Sequence, residues 1–178
     1  MHDIQIADFR TDRLWVRDWT PMLDSDRLRR DLRAVLTPAV LQTLPEPLHL
    51  HDDDIAGWIK AQSREGTVFT LHDTGHDTPG DTLLGLMLLA IPPGPDPAIH
   101  VGYLLAEPVW GQGYATELLR GLVATLKNHN GARLVGGVGI DNPASARVLQ
   151  KAGFLRDAAL SSPDTDFFVQ TIAQPTGG

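Results

Sequence analysis

Two glycines ahead of a helical pattern are the first residues of this sequence whose spacing points to chemistry. Gly111 and Gly113 flank Gln112 and follow an alternating segment, 99–106. The first N–H groups of a helix have no partner within it, and the peptide dipoles place partial positive charge there. Glycine also lets a phosphate approach the backbone closely. The segment from Gly111 to Thr116 therefore predicts an anion cradle, while an ordinary strand-to-helix turn is the alternative for two glycines alone.

Two hydrophobic periods predict the elements that must position this cradle. Ile99, Val101, Tyr103 and Leu105 alternate with other residues, which is typical of a strand. Farther on, apolar residues recur at the spacing of an amphipathic helix: Ala115, Leu118, Leu119, Leu122, Val123 and Leu126. We therefore expect this helix to begin at Gly113 or Tyr114.

A second group of polar residues follows the next predicted strand, 134–140. Asn142 precedes Pro143, which predicts a helix N-cap with proline at the first helical position, and Gly153 is expected to end that helix. Ser145 lies three residues after Asn142. By spacing alone, a capping asparagine and a solvated serine hydroxyl are sufficient explanations. Glycines inside the strand weaken it, so we expect a ligand or a neighbouring backbone to pass close to it.

Three segments together resemble the GNAT superfamily of acyl-CoA-dependent N-acyltransferases, in its RimJ/RimL-like branch. They are residues 11–17 (TDRLWVR), 102–117 (GYLLAEPVWGQGYATE) and 141–154 (DNPASARVLQKAGF), which occur in the expected order. The resemblance implies a mixed α/β fold. Its central twisted sheet is mostly antiparallel, contains one splayed parallel strand pair, and is flanked by helices. We expect a single domain over residues 1–178, with its core at about 9–172.

The resemblance also implies acetyl-CoA as a co-substrate, and no metal. The pantetheine arm would lie between the strands 99–106 and 134–140, and the cradle would bind the pyrophosphate. The residues expected to bind the co-substrate are Leu104, Leu105, Ala106, Trp110, Gly111, Gln112, Gly113, Tyr114, Ala115, Thr116 and Asn142.

Ser145, Asn142 and His100 are the candidate catalytic residues. In the related motif a serine three residues after the asparagine lies near the thioester sulfur, where it would stabilise or protonate the departing thiolate. Many other GNAT enzymes use a tyrosine seven residues after that asparagine, and this chain has Leu149 there. His100 has an ordinary pKa of about 6.5 and is a candidate base for the acceptor ammonium. A histidine bonded within the sheet, or bulk water as the base, is the alternative, and Tyr103 is expected to be core or wall.

The predicted activity is direct transfer of an acetyl group from acetyl-CoA to a primary amine, within a ternary complex. The acceptor is expected to be a peptide N-terminus or a small-molecule amine, and a homodimer is compatible with such folds. A non-catalytic acyl-CoA-binding regulatory module is the alternative, because Leu149 stands in place of the usual tyrosine. Neither the acceptor nor the acyl-chain preference follows from the sequence.

Composition argues against several other functions. The 178 residues include no cysteine, which excludes disulfides, a cysteine nucleophile and thiolate metal sites. The formal net charge of −7 argues against nucleic acid as the main partner. The sequence has neither a long apolar run nor a secretory signal pattern at residues 1–12, so we expect a cytoplasmic protein without a membrane partner. Thr116 replaces the third glycine of a dinucleotide motif, and no P-loop lysine follows.

The remaining segments predict further strands, helices and loops. Strands are expected at 13–19, 67–71 and 82–91, and a hairpin at 156–160 and 167–172; helices are expected at about 22–36, at 38–44 and after 52–54. Gly85 predicts a bulge or a close backbone contact within its strand. His72, Asp73, His76 and Asp77 are expected in a solvated loop. We disfavour a metal site made by His49, His51 and residues 52–54, because adjacent loop residues do not converge on an ion.

Overall fold

The computed structural model describes residues 5–74, 82–95, 98–129 and 131–173. Its strands are β1 (Phe9–Arg10), β2 (Leu14–Asp18), β3 (Thr67–Asp73), β4 (Leu83–Ala90), β5 (Ile99–Leu105), β6 (Arg133–Gly139), β7 (Leu155–Asp157) and β8 (Thr165–Thr171). Its α-helices are α1 (Asp26–Val35), α2 (Pro38–Gln42), α3 (Ile55–Glu65), α4 (Tyr114–Thr125) and α5 (Pro143–Lys151). Short 3₁₀ turns lie at Thr20–Met22, Glu46–Leu48, Glu107–Val109 and Leu126–Asn128.

All eight strands form one sheet, in the order β1-β2-β3-β4-β5-β6-β8-β7. Every neighbouring pair is antiparallel except β5 and β6, which run parallel. These two strands are paired only at their beginnings, Ile99 with Leu134 and His100 with Val135. They then separate towards their carboxyl ends. The predicted mixed α/β architecture, mostly antiparallel with one splayed parallel pair, is confirmed.

Local capping explains where four of the five α-helices of the described chain begin. Ser25, Thr37, Asp54 and Asn142 each accept a hydrogen bond from the N–H three residues later. Helix α4 differs, because its N-cap is Gly113, with φ +82°, and no side chain of the described residues caps it. The predicted caps at Thr37 and Asn142 and the predicted start of α4 are confirmed. The predicted helix over 22–36 is shorter, because a separate 3₁₀ turn precedes the Ser25 cap.

Two apolar clusters cover the two faces of the sheet. Because successive strand residues point to opposite faces, Phe69 and Val68 of β3 belong to different clusters. One cluster joins Phe69 to α4 through the buried Leu118, Leu119 and Leu122. The other joins Val68 to α1 and α3 through Leu28, Leu32, Trp58 and Ile59. Helix α4 and the first three helices therefore lie on opposite faces of the sheet.

Glycines in two strands are explained by what lies next to them. A Cβ at Gly85 would lie 2.1 Å from the carbonyl oxygen of Leu104, and the β3–β4 register shifts beside this residue, so the predicted close backbone contact and bulge are confirmed. At Gly136 and Gly137 an added Cβ would meet the side chains of Leu149 and Phe167, respectively, and not a neighbouring backbone. That a ligand passes close to this strand stays a prediction.

His72 corrects a second expectation, because it is buried in β3 and does not lie in a solvated loop. Its imidazole is 7% exposed, and its Nε2 lies 3.0 Å from the hydroxyl of Thr70. Its Nδ1 has no hydrogen-bond partner within the described ranges. Burial, helped by the positive charge of Arg17, lowers the pKa of His72. Asp73 ends the same strand, and His76 and Asp77 lie outside the described residues.

This buried imidazole is expected to make folding stability fall on acidification. The native state holds His72 neutral, whereas the unfolded chain takes up a proton below a pH of about 6.5. The unfolded state then binds more protons, so the free energy of unfolding decreases as the pH falls. For one group the slope is at most about 1.4 kcal/mol per pH unit. Urea unfolding at pH 7.5 and pH 5.0 measures this effect. Between these two pH values the free energy of unfolding should fall less in His72→Gln than in the unmodified protein.

The exposed His51 provides the control for this measurement, since its side chain is 68% exposed. The change His51→Gln should leave the pH dependence of unfolding as it is in the unmodified protein. An equal pH dependence in His72→Gln would contradict the assignment to His72.

Candidate functional site

A cavity of about 510 Å³ opens where β5 and β6 separate, and we call it the strand-gap cavity. Its walls are β5 from Val101 to Tyr103, the glycine-rich part of β6, the start of α5 and the segment 42–48 after α2. Asn142, Ser145 and Leu149 of α5 all line it. The structure thus brings the polar residues of α5 to the gap between the two parallel strands.

Asn142 fixes the position of Ser145 at the start of α5. Its side-chain oxygen accepts a hydrogen bond of 3.2 Å from the N–H of Ser145. This bond caps the helix and uses the amide oxygen. The Asn142 side chain therefore acts first as a structural cap, and the Ser145 hydroxyl is presented to the strand-gap cavity from a rigid helical turn.

Tyr103 contributes a second hydroxyl to this cavity, although sequence analysis predicted only a core or wall residue. Its Oη is buried and has no hydrogen-bond partner among the residues that the structure describes. Burial raises the pKa of the Tyr103 phenol, and the neighbouring Ser145 hydroxyl offsets part of this rise, although the two hydroxyls do not meet hydrogen-bond geometry. Strand alternation could place Tyr103 on a face, but no local pattern shows that its hydroxyl meets α5.

The backbone N–H and C=O groups of β5 point alternately towards β4 and towards the gap between β5 and β6. Ala106 N–H donates to Leu84 O at 2.8 Å, so the backbone groups of Ala106 and Leu104 are directed to β4. Those of Leu105 and Tyr103 then face the side of β6. Of the three backbone positions predicted to bind pantetheine, Leu105 is the one directed into the gap. Its carbonyl oxygen accepts a 2.8 Å hydrogen bond from the indole N–H of Trp110.

The cradle lies between β5 and α4. Gly111 and Gly113 have positive φ angles of +71° and +82°, which favour glycine. The first helical hydrogen bond runs from Glu117 N–H to Gly113 O. The N–H groups of Tyr114, Ala115 and Thr116 precede that bond, and no side chain caps them. The cradle thus keeps the uncapped N–H groups and the partial positive charge on which its prediction depended.

Two side chains of the cradle bond back to the preceding turn. The Gln112 amide donates to the carbonyl oxygen of Pro108 at 2.9 Å, and Trp110 donates to Leu105 as described above. Trp110 remains 43% exposed. These bonds hold the shape of the loop, whereas its backbone N–H groups are the groups that could bind an anion.

Arg13 of the chain connecting β1 to β2 anchors the cradle, and sequence analysis did not assign it this role. Its Nε lies 2.6 Å from the Glu117 carboxylate, and its backbone N–H donates to the same carboxylate at 2.8 Å. Its Nη1 donates to Gln112 O at 2.9 Å, and its guanidinium lies 4.0 Å from the ring centre of Tyr114. No local signal reveals this contact, because Arg13 and Glu117 are 104 residues apart.

The Glu117 carboxylate is held in its charged form. Burial alone would raise its pKa, but hydrogen bonds from the Thr11 hydroxyl and from the backbone and side chain of Arg13 outweigh burial and lower it. In return, the hydrogen bond to Glu117 raises the pKa of Arg13. The pair therefore stays ionised over the physiological pH range and fixes the first turn of α4.

Basic side chains surround the open side of α4 in a protein whose net charge is −7. A cleft of about 620 Å³, which we call the cationic cleft, runs from Gly113 along the exposed face of α4. Arg10, Arg13, Arg120 and Lys151 line it. The acidic lining residues are Asp12 and Glu117, and Glu117 is already paired with Arg13. The cleft and the adjoining cradle therefore favour a ligand that carries phosphate groups.

His100 lies away from the strand-gap cavity. It belongs to the short paired region of β5 and β6, opposite Val135, and it is not among the cavity's lining residues. It lies three positions before Tyr103 in β5, a distance of about 10 Å along a strand. Burial, together with the positive charge of Arg133, lowers the pKa of His100. The structure does not bring this histidine together with Ser145.

Other candidate features give no second site. A larger cavity, of about 790 Å³, lies at the other end of the sheet near Asp18, Glu65 and Ile99. No group of three or more potential metal ligands occurs in the described ranges; His49 and His51 instead lie beside the carboxylate of Glu46. None of the described helices has the length and apolar character needed to cross a bilayer.

Comparison with protein-family models gives a match over most of the chain. Residues 13–155 match the family model described as an acetyltransferase (GNAT) domain. Comparison with curated protein sequences gave no match.

Solved structures of acetyltransferases have the same fold. A GNAT-family acetyltransferase from Bacillus anthracis is 18% identical, with a TM-score of 0.68, over 93% of this chain and 98% of that one. A ribosomal-protein-S5-alanine acetyltransferase from Vibrio fischeri is 17% identical, with a TM-score of 0.67, over 93% and 96%. The RimL ribosomal alpha-N-protein acetyltransferase, solved in complex with coenzyme A, is 20% identical, with a TM-score of 0.64, over 94% and 97%.

Proposed function

Because this chain belongs to the GNAT acetyltransferase family, we propose that it transfers an acetyl group from acetyl-CoA directly to a primary amine. The observation that carries this proposal is the uncapped start of α4, which follows β5 and adjoins the cationic cleft at Gly113. The strand-gap cavity lies where the same strand β5 separates from β6. The first feature offers phosphate-binding groups, and the cavity offers the hydroxyls of Ser145 and Tyr103.

The cradle and the cationic cleft would bind the phosphates of acetyl-CoA. The N–H groups of Tyr114, Ala115 and Thr116 are uncapped, and Arg13 fixes the loop that precedes them. The backbone N–H of Leu105, directed to the gap, would donate a hydrogen bond to the pantetheine arm, while its carbonyl oxygen holds Trp110. This arrangement positions the thioester, and holding the two reactants in place lowers the entropic part of the barrier to acyl transfer.

At the reacting end, Ser145 would stabilise or protonate the departing thiolate, held in place by the Asn142 cap. The acceptor ammonium must also lose a proton before attack. His100 lies outside the cavity lining, so water in the open strand-gap cavity is the proposed base.

The acceptor would approach along the segment 42–48, which forms the opposite wall of the strand-gap cavity. Asp141 is the one carboxylate of the described residues that lines this cavity, and it suits a cationic amine. Three of the structural neighbours carry names of ribosomal-protein acetyltransferases. We therefore propose that the protein is a RimJ/RimL-like enzyme of the cytoplasm. A peptide N-terminus is the acceptor class to test first, and small-molecule amines are the second.

The first experiment is calorimetric titration with acetyl-CoA and with free CoA, followed by thiol release in the presence of amines and N-terminal peptides. Binding of both ligands, with thiol release that depends on one acceptor class, is the expected result. Failure of both ligands to bind would overturn the proposed function. Binding without thiol release for any acceptor would favour the non-catalytic regulatory module. That alternative is supported by Leu149, a buried residue that stands in place of the usual tyrosine.

Ser145→Ala is expected to lower acetyl transfer about tenfold, because a positioned proton donor or hydrogen bond to the leaving group is removed. The affinity for CoA should stay within about threefold, since the backbone N–H of residue 145 can still donate to the Asn142 side chain that caps α5. Steady-state thiol release and calorimetry together measure both effects. Ser63→Ala, at an exposed position of α3, is the matched control. Unchanged transfer in Ser145→Ala would remove this hydroxyl from the mechanism.

A further inference from the structure

The buried hydroxyl of Tyr103 has no role in the fold that the structure reveals. Its Oη is withdrawn from water and has no hydrogen-bond partner among the described residues. Leaving a buried hydroxyl unpaired in this way lowers folding stability. Phenylalanine would fill the same space without that cost. An unpaired hydroxyl at the wall of a cavity therefore indicates a bond that forms only when a ligand is present.

Two further observations locate the ligand atom that this hydroxyl would meet. Tyr103 and Ser145 face the same strand-gap cavity from different elements, β5 and α5, and the two hydroxyls lie close together. Leu149, one helical turn beyond Ser145, is buried against Gly136 and has no polar atom to offer. Among the described residues that line the cavity near Ser145, Tyr103 therefore supplies the one phenolic donor.

We propose that Tyr103 donates its hydroxyl proton to the sulfur of the acyl donor, as a catalytic residue beside Ser145. This inference rests on the proposed function. The amine nitrogen bonds to the thioester carbon, the carbon–sulfur bond breaks, and the electron pair of that bond stays on sulfur. The phenol proton then passes to sulfur, which gives the free thiol. The proton released by the acceptor nitrogen returns to the phenolate through water, so charge and atoms balance.

The test compares two ligands that differ only at the sulfur, free CoA and desulfo-CoA, in which hydrogen replaces the thiol. In the unmodified protein, CoA is expected to bind about fivefold more tightly than desulfo-CoA. In Tyr103→Phe, CoA should lose this advantage, while desulfo-CoA should bind as before. Calorimetric titration measures all four dissociation constants without any acceptor. Where an acceptor is in hand, kcat should fall about tenfold or more, with the KM for acetyl-CoA within about threefold.

Met87→Leu is the matched control for packing. Met87 is fully buried, lies opposite Tyr103 in the β4–β5 register and belongs to the cluster against which Tyr103 packs, but it carries no hydroxyl. The Met87→Leu variant should leave the ratio of CoA to desulfo-CoA affinity unchanged, whatever its effect on thermal stability.

Three results are distinguishable from the expected one. An unchanged affinity ratio in Tyr103→Phe would overturn the inference and leave the proposed function standing. If Tyr103→Phe binds acetyl-CoA more weakly but keeps the ratio of CoA to desulfo-CoA affinity, the phenol bonds the thioester carbonyl oxygen and not the sulfur. That result would also overturn the inference. If neither CoA nor desulfo-CoA binds the unmodified protein, the proposed function itself fails.

Discussion

Replacing Gly111 with alanine is expected to weaken the binding of CoA and acetyl-CoA by about tenfold to a hundredfold. Gly111 has φ +71°, where alanine is strained by about 1 kcal/mol, so the loop shifts towards a negative φ. The N–H groups of the cradle then lose their alignment on the phosphates. Hydrogen bonds to charged groups contribute about 1.5–3 kcal/mol each, and about 1.4 kcal/mol corresponds to a tenfold change in affinity. Calorimetric titration measures the dissociation constants.

Gly131 offers a closely matched control. It has φ +77°, and, as at Gly111, a Cβ there would meet no described atom within 4 Å. Gly131→Ala should therefore cost about as much folding stability as Gly111→Ala. It should leave CoA binding unchanged, because Gly131 lies in the turn between α4 and β6, away from the cradle. Equal CoA affinities in the two variants would contradict the assignment of the cradle as the phosphate site.

Glu117→Ala is expected to lower the free energy of unfolding by about 3 kcal/mol. The change removes the acceptor for Thr11, for the backbone N–H of Arg13 and for its guanidinium. Each hydrogen bond to a charged group contributes about 1.5–3 kcal/mol, but water can reach part of the Arg13 side chain, which is 41% exposed, so the sum is discounted. Urea unfolding at neutral pH measures the loss.

The same change should also weaken CoA binding, because Arg13 no longer holds the carbonyl of Gln112 from a fixed position. Asp26→Ala serves as the control. It breaks the ion pair between Asp26 and Arg29, and the Asp26 side chain is 93% exposed. It should cost less than about 1 kcal/mol and leave CoA binding unaltered. A loss in Glu117→Ala no greater than in Asp26→Ala would show that Arg13 does not depend on Glu117.

The features that the sequence predicted well are those that depend on residues close together along the chain. The apolar stripe of α4, the caps at Thr37 and Asn142 and the close contact at Gly85 each follow from spacing within one turn or one strand. Helical and strand periods of this kind are local, so a single sequence contains them. The parallel pairing of β5 and β6 was an expectation from the family resemblance, and it agrees with the rule that a strand–helix–strand crossover joins parallel strands in one handedness.

The tertiary structure alone decided which distant side chains meet. Arg13 reaches Glu117 across 104 residues, Tyr103 meets Ser145 across the strand gap, and α1 covers the sheet face on which His72 lies. The placement of His100 outside the strand-gap cavity is also a tertiary result, since the strands separate only beyond it. Residue type and spacing determined the elements and the family resemblance. Contacts between elements depend on how the side chains of opposite faces pack, and no period along the chain records that packing.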